Sequence, residues 1–201
     1  MSDEVVARLV AGYELVDDLV GRGLDLFAYG NSGLWLELNA MVLCGDDPSR
    51  RKAFAVHIAA TEARFYAEPG AGIGGIADWH ERHRQESTWL RAAGVYVRLL
   101  SEPQLFIEGN HRTGALIMSW ILASAGRPPF VLTLDNAVGY FDPSAVIKGT
   151  RKTAFALLVQ VPRIKKRFAR FLEGQADRRF LCAPTERRGL PPLRAAPQAP
   201  R

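Results

Sequence analysis

The sequence predicts an all-α fold, mainly a helical bundle, on three observations. Apolar residues recur three and four positions apart through several long segments, which is the spacing that lines one face of a helix. Capping chemistry marks where helices begin: Asp47-Pro48-Ser49 and Asp142-Pro143-Ser144 each place a carboxylate N-cap before a first-turn proline. No pattern of the kind a parallel sheet requires appears anywhere in the chain.

Taken in order, Glu4 to Leu26 carries Val5, Val6, Leu9, Val10, Tyr13, Leu15, Val16, Leu19 and Val20, an amphipathic helix broken by Gly30-Asn31-Ser32-Gly33. Leu34 to Cys44 reads as a second, more apolar helix ended by Gly45. From Asp47 a third runs to about Ala67, with Phe54, Val56, Ala60 and Phe65 expected on its buried side and His57 packed and hydrogen-bonded among them. Glu68 to Ala77 is a glycine-rich connection. Its Gly70-Ala71-Gly72-Ile73-Gly74-Gly75 formally fits the dinucleotide fingerprint, but a helical pattern precedes it where that fingerprint needs a strand, so a dinucleotide site is rejected. Asp78 to Leu100 reads as one long helix, polar over Glu81 to Glu86 and apolar from Trp89 onward; His80, His83 and Glu86 on it read as a solvated face rather than a metal site. After an apolar helix over Ala115 to Leu122, Val131 to Leu134 suggests a short extended piece, and Asp142-Pro143 opens a short helix. Thr153 to Glu173 is the last helix, basic at Arg163, Lys165, Lys166, Arg167 and Arg170, with Pro162 kinking or splitting it. Gln175 to Arg201 holds five prolines and few large apolar residues and is expected to be disordered, apart from local docking by Phe180-Leu181.

The chemistry concentrates in Gln104-Leu105-Phe106-Ile107-Glu108-Gly109-Asn110-His111-Arg112-Thr113-Gly114. A carboxylate, a turn glycine, a capping asparagine and an arginine fall within five positions, and the apolar helix follows at once. That order reads as a loop feeding the N-terminus of a buried helix, whose unpaired N–H groups suit an anion. Arg112 in the first turn is placed to clamp a phosphate with two nitrogens, and Glu108 to hold Mg²⁺ through oxygen. The same residues also read as a plain helix start: Asn110 as N-cap, Gly109 as tight turn, and Glu108 paired with Arg112 four positions on. No strong proton acceptor stands beside them.

These residues resemble the signature of the Fic (Fido-domain) family, His-Pro-Phe-x-(Asp/Glu)-Gly-Asn-Gly-Arg-x-x-Arg. Phe106, Glu108, Gly109, Asn110 and Arg112 stand on matching positions, with a long helix leading in and Ala125 to Phe130 closing the next. The resemblance implies a Fic-type core over 50–151, an N-terminal helical extension over 1–49, a basic helix over 152–174 and a basic, proline-rich tail over 175–201. It implies a nucleotide, with Mg²⁺ and ATP as cofactors, bound through Gly109, Asn110, His111 and Arg112, with Glu108 on the metal. Family members move AMP or another phosphate-containing group onto protein hydroxyls. The resemblance also implies a small β-hairpin flap over the glycine-rich connection, with Ile73 and Ile76 as apolar contacts to a protein target; a flexible helix–helix linker is the other reading of that stretch. A small antitoxin-type partner follows by the same analogy. Gln104 stands where the family has its general base, and an amide cannot take that proton; losing a general base costs roughly 10²–10⁴-fold in rate. Leu105 replaces the proline, His111 the second glycine and Ala115 the second arginine. The family's inhibitory helix has no counterpart here. The expectation is a phosphate-binding Fic-like protein impaired in catalysis, with an active transferase as the alternative.

Composition narrows the rest. The chain has 201 residues and 48% hydrophobic content, enough for one sizeable core. Residues 1–147 carry 12 Lys/Arg against 18 Asp/Glu, and 148–201 carry 14 against 3, so the net charge of +5 joins an acidic body to a basic end. That end is a third functional reading, attraction to nucleic acid, but it lacks interleaved aromatics and any reading motif. Cys44 and Cys182 lie far apart and read as free thiols of a reducing compartment. The longest apolar run, Gly114 to Gly126, has 13 residues and is too short to span a bilayer. With no basic start before an apolar run at the N-terminus, a cytoplasmic protein with no membrane partner is expected.

Overall fold

The computed structural model describes residues 2–67, 72–101, 103–148 and 161–181, with the backbone alone at 142–148 and 161. Among these are nine α-helices: α1 (Asp3–Gly21), α2 (Ser32–Cys44), α3 (Pro48–Ala53), α4 (Ala55–Tyr66), α5 (Ile73–Arg82), α6 (Thr88–Leu100), α7 (Asn110–Ser124), α8 (Leu134–Lys148) and α9 (Val161–Gly174). A 3₁₀ turn at Arg178–Phe180 follows, and no strand occurs among the described residues. The all-α expectation holds at that level.

The apolar helix α7 is the hub. Every residue from Thr113 to Leu122 is buried, and α6, α1 and α2 all pack on it. The far side of α6 is covered by α9, with α8 against both. α1 presents Leu9, Leu15, Val16 and Leu19 to α2 and α7. Among the described residues, the helices before residue 50 and those after it therefore share one apolar interior.

The helix ends differ from the sequence expectation where tertiary groups intervene. α1 stops five residues short of Leu26, because Gly23 adopts φ 65° and closes a Schellman motif: its N–H donates to Val20 O (3.0 Å) and the Leu24 N–H to Leu19 O (3.0 Å). Asp47 caps α3 as expected, accepting from the Ser49 N–H at 2.8 Å. The chain then breaks at Phe54, and the buried face of α4 is Ile58, Thr61 and Phe65, whereas Phe54 and Val56 face solvent. The ring of His57 meets Phe54 edge-on, and its Nε2 is buried without a hydrogen-bond partner.

Two expectations are corrected in the next stretch. The helix foreseen over Asp78 to Leu100 is two helices, because the polar front ends in a turn at His83 and Ser87 starts α6 afresh, its Oγ accepting from the Leu90 N–H. No β-hairpin flap forms over 72–77: the chain is helical from Ile73, and Ile76 is buried with Trp79 against α6. Ile73, Ile76 and Trp79 lie at helical spacing, so burying that face outweighs the low helix propensity of Gly74 and Gly75. Residues 68–71 of the flap expectation lie outside the described residues.

Asp142-Pro143 does not open a helix. α8 begins eight residues earlier, where Thr133 and Asn136 form a reciprocal cap: the Thr133 N–H donates to Asn136 Oδ1 (2.8 Å) and the Asn136 N–H to Thr133 Oγ1 (3.4 Å). The helix runs through Pro143, which brings no N–H to the ladder. Pro162 lies at the described start of α9, which continues from it to Gly174; residues 153–160, and with them the stretch in which a kink or a split at Pro162 would show, lie outside the described residues. Phe168, Ala169 and Leu172 face the core, and Arg163, Lys166, Arg167 and Arg170 face solvent. Lys165 is the exception, buried and paired with Glu86. Of the tail, 175–181 is described: Asp177 caps the 3₁₀ turn and Phe180 stays exposed. Cys44 is a free, buried thiol, and Cys182 lies outside the described residues. Among the described residues no helix is long and apolar enough to cross a membrane.

One core-edge group makes stability depend on pH. His80 stacks on Phe27, with ring centroids 3.7 Å apart. Burial, and after it the charge of Arg91, lowers its pKa from 6.5 to about 4. The unfolded chain binds that proton near pH 6.5 and the folded chain only near pH 4. This contribution to stability is therefore complete above pH 6.5 and is lost as pH falls from 6.5 to about 4. Urea midpoints taken at pH 7 and pH 4.5 should fall on acidification, and the fall should be smaller in His80→Gln.

Candidate functional site

The segment between α6 and α7 is held by its own side chains before anything else touches it. Leu105 and Phe106 are buried, and Phe106 stacks on Phe65 of α4 at 5.7 Å. The Asn110 amide ties the bend together. Its Oδ1 accepts from the Phe106 N–H (2.9 Å), and its Nδ2 donates to Phe106 O (2.8 Å) and to Gln104 Oε1 (3.1 Å). Asn110 is therefore the first helical residue, and the N-cap is Gly109, whose carbonyl accepts from the Thr113 N–H at 2.9 Å. Gly109 has φ 78°, and a Cβ there would lie 2.9 Å from Asn39 Nδ2 and 3.3 Å from both Leu43 and Val42. Only glycine suits both the conformation and the space.

Asn39, buried in α2, grips the bend from outside: Nδ2 donates to Glu108 O (2.9 Å) and to Thr113 Oγ1 (3.0 Å). The sequence reading missed it, although a lone amide inside the apolar run Leu34 to Cys44 was a visible signal, since buried amides need partners.

Arg112 does less for a ligand than its position suggested. Its Nη1 donates to Val42 O at 2.7 Å, one of the carbonyls left open at the end of α2. The last turn of α2 carries no basic residue of its own. Arg8 supplies a donor to Leu43 O (3.0 Å) and Arg51 one to Gly45 O (2.8 Å), so three arginines from three segments surround one helix terminus. Burial holds the Arg112 guanidinium below its usual pKa, with Glu108 acting the other way. The Glu108 carboxylate is 60% exposed and 4.0 Å from Arg112 Nη2, so it is open to a cation from solvent.

His111 points elsewhere. Its Nδ1 is 3.0 Å from the Tyr96 hydroxyl, its ring meets Phe141 edge-on at 5.2 Å, and its carbonyl accepts from the Tyr140 hydroxyl at 2.6 Å. Burial raises the pKa of both phenols, which keep their protons at neutral pH. The imidazole belongs to the aromatic cluster of α6, α8 and α9, on the side of α7 away from α2. Gln104 is fixed at both ends, its side chain by Asn110 and its carbonyl by Arg64 Nε at 2.9 Å.

No family model, curated protein or solved structure matches the chain.

The expected site residues are therefore brought together in part. Gln104, Glu108, Gly109, Asn110 and Arg112 share one bend, with Glu108 and Arg112 facing α2 and His111 facing α6. Ile73 and Ile76 belong to α5: Ile76 is core, and Ile73 lines a surface groove with Phe27 and Tyr29. Among the described residues no group of three or more His, Cys, Asp or Glu side chains forms a metal cage. A single exposed carboxylate suits Mg²⁺ that keeps its waters and is held mainly by a substrate's phosphates.

Proposed function

We propose that the bend at Glu108–Arg112 binds the phosphates of a nucleotide such as Mg²⁺–ATP, and that the protein is a Fic-like module impaired in group transfer. The observation that carries this reading is the Asn110 clasp. It holds a left-handed Gly109 at the N-terminus of α7, beside an exposed carboxylate. Glu108 would hold the metal, which supplies charge neutralisation at the phosphates. The backbone of Gly109, Asn110 and His111 would contact phosphate oxygens, and the Arg112 nitrogens not given to Val42 would add charge. The impairment rests on Gln104: its amide is neutral, and its oxygen already accepts from Asn110. The alternative, an active transferase using His111 as a displaced base, is disfavoured by that ring's engagement with Tyr96.

Calorimetric titration with Mg²⁺–ATP should give saturable heat with Kd below about 1 mM. Glu108→Ala, at an exposed side chain, should weaken it about tenfold, or ~1.4 kcal/mol. Labelled ATP should leave no nucleotide on protein. Absence of heat with Mg²⁺–ATP and with inorganic phosphate would reject the phosphate reading, and Glu108-dependent labelling would favour the transferase.

A further inference from the structure

A second cleft lies away from this bend, and two donor atoms of the side chains that line it, Arg91 Nε and Trp120 Nε1, have no acceptor. It opens between the end of α1, the segment Gly23–Asp25, α5, the front of α6 and the C-terminal end of α7, with a volume of about 400 Å³. That falls within the range of small-molecule sites. Val20, Leu24 and Ile121 give it an apolar wall. Trp120 lines it too; that side chain is 7% exposed, and its indole N–H is buried without a hydrogen-bond partner. Arg91 lies on the polar wall with Asp25, His80 and Ser124. Its Nε is likewise buried and unpartnered, and among the described residues no carboxylate lies within 4.0 Å of its guanidinium.

A buried donor without an acceptor costs about 1–3 kcal/mol, more when charged, so two in one cleft ask for an acceptor from outside. His80 does not meet that need. Its Nε2 lies 3.4 Å from Arg91 Nη1, a long contact to a neutral ring that brings no negative charge to Arg91. Asp25 also lines the cleft, with Oδ1 accepting from the Phe27 N–H at 2.8 Å. Its charge opposes a dianion such as phosphate more than a single carboxylate placed at the Arg91 end.

The structure assigns to this cleft, by our inference, a small monocarboxylate with an apolar body, its carboxylate received by Arg91 and the Trp120 N–H and its hydrocarbon by Val20, Leu24 and Ile121. The site is independent of the nucleotide reading and shares no residue with it.

The probe is 3-phenylpropanoate, followed by calorimetry and by tryptophan fluorescence. Saturable binding with Kd below about 1 mM is expected, with phenethylamine and inorganic phosphate giving none in this cleft. Arg91→Gln should raise Kd at least tenfold. Trp120→Phe, which keeps the ring and removes the N–H, should raise it about fivefold with little change in melting temperature. Bound carboxylate should also raise the pKa of His80, read from its imidazole proton shifts in the wild-type protein. No saturable binding up to about 10 mM, equal affinity for phenethylamine, or an unchanged Kd in both variants overturns the assignment.

Discussion

A Gly109→Val protein is expected to lose about 3 kcal/mol of stability or more, and with it the geometry of the bend. Two costs combine. A β-branched residue at φ 78° is strained by about 1–3 kcal/mol. The added carbon lies 2.9 Å from Asn39 Nδ2 and 3.3 Å from Leu43 and Val42, all on the buried face of α2, and such overpacking costs about 1–3 kcal/mol. Asn39 cannot withdraw cheaply, because it holds both Glu108 O and Thr113 Oγ1. Gly109→Ala separates the terms, keeping the close contact and most of the strain without the branch. Urea unfolding of both variants is the measurement, and a loss under about 1 kcal/mol in the valine protein would mean that the bend is not fixed as described. If the nucleotide reading is right, Mg²⁺–ATP heat should disappear in the same variant even where it remains folded.

Glu86→Ala is expected to cost about 2–3 kcal/mol through the cation it abandons. Lys165 Nζ lies 2.7 Å from each Glu86 oxygen, and the lysine side chain is only 10% exposed. It also sits 5.2 Å from the centroid of the Trp79 ring, which Arg98 approaches at 5.1 Å. Removing one partner of such a pair leaves a charge with poor access to water, at about 3–5 kcal/mol when fully buried; the 30% exposure of Glu86 moderates that. Lys165→Met in the same background should recover most of the loss, because an apolar chain of similar length can lie on Trp79 without a counter-charge. If the double variant is no more stable than the single one, the pair contributes through packing and not through charge. Glu86 lies in the turn before α6 and Lys165 on α9, so the loss should also raise amide exchange along α9.

The helical class was legible because burial follows a period that can be read along the chain. Of the apolar residues spaced along α1, Leu9, Leu15, Val16 and Leu19 are buried while Val6 and Val10 are exposed; α7 is buried all round from Thr113 to Leu122, and Asp47-Pro48 starts α3. The errors share one cause. Local capping chemistry competes with neighbours that a single sequence does not reveal: Thr133 and Asn136 cap each other and start α8 ahead of Asp142-Pro143. The face at Ile76 and Trp79 packs on α6, so the glycines beside it sit in a helix rather than a flap.

At the candidate site, the sequence by itself determined which chemical groups share a few residues of chain: the turn glycine, the neutral amide at Gln104, the carboxylate of Glu108 and the guanidinium of Arg112. Only the tertiary structure decided what each is free to do. Arg112 closes the end of α2, Asn110 holds Gln104, and His111 turns toward Tyr96, because hydrogen-bond partners 6 to 70 residues away are chosen by packing, not by spacing. The unpaired donors of Arg91 and Trp120 were invisible for the same reason. A missing partner is a property of the folded surroundings, and the ends of α1, α5, α6 and α7 must meet before its absence exists.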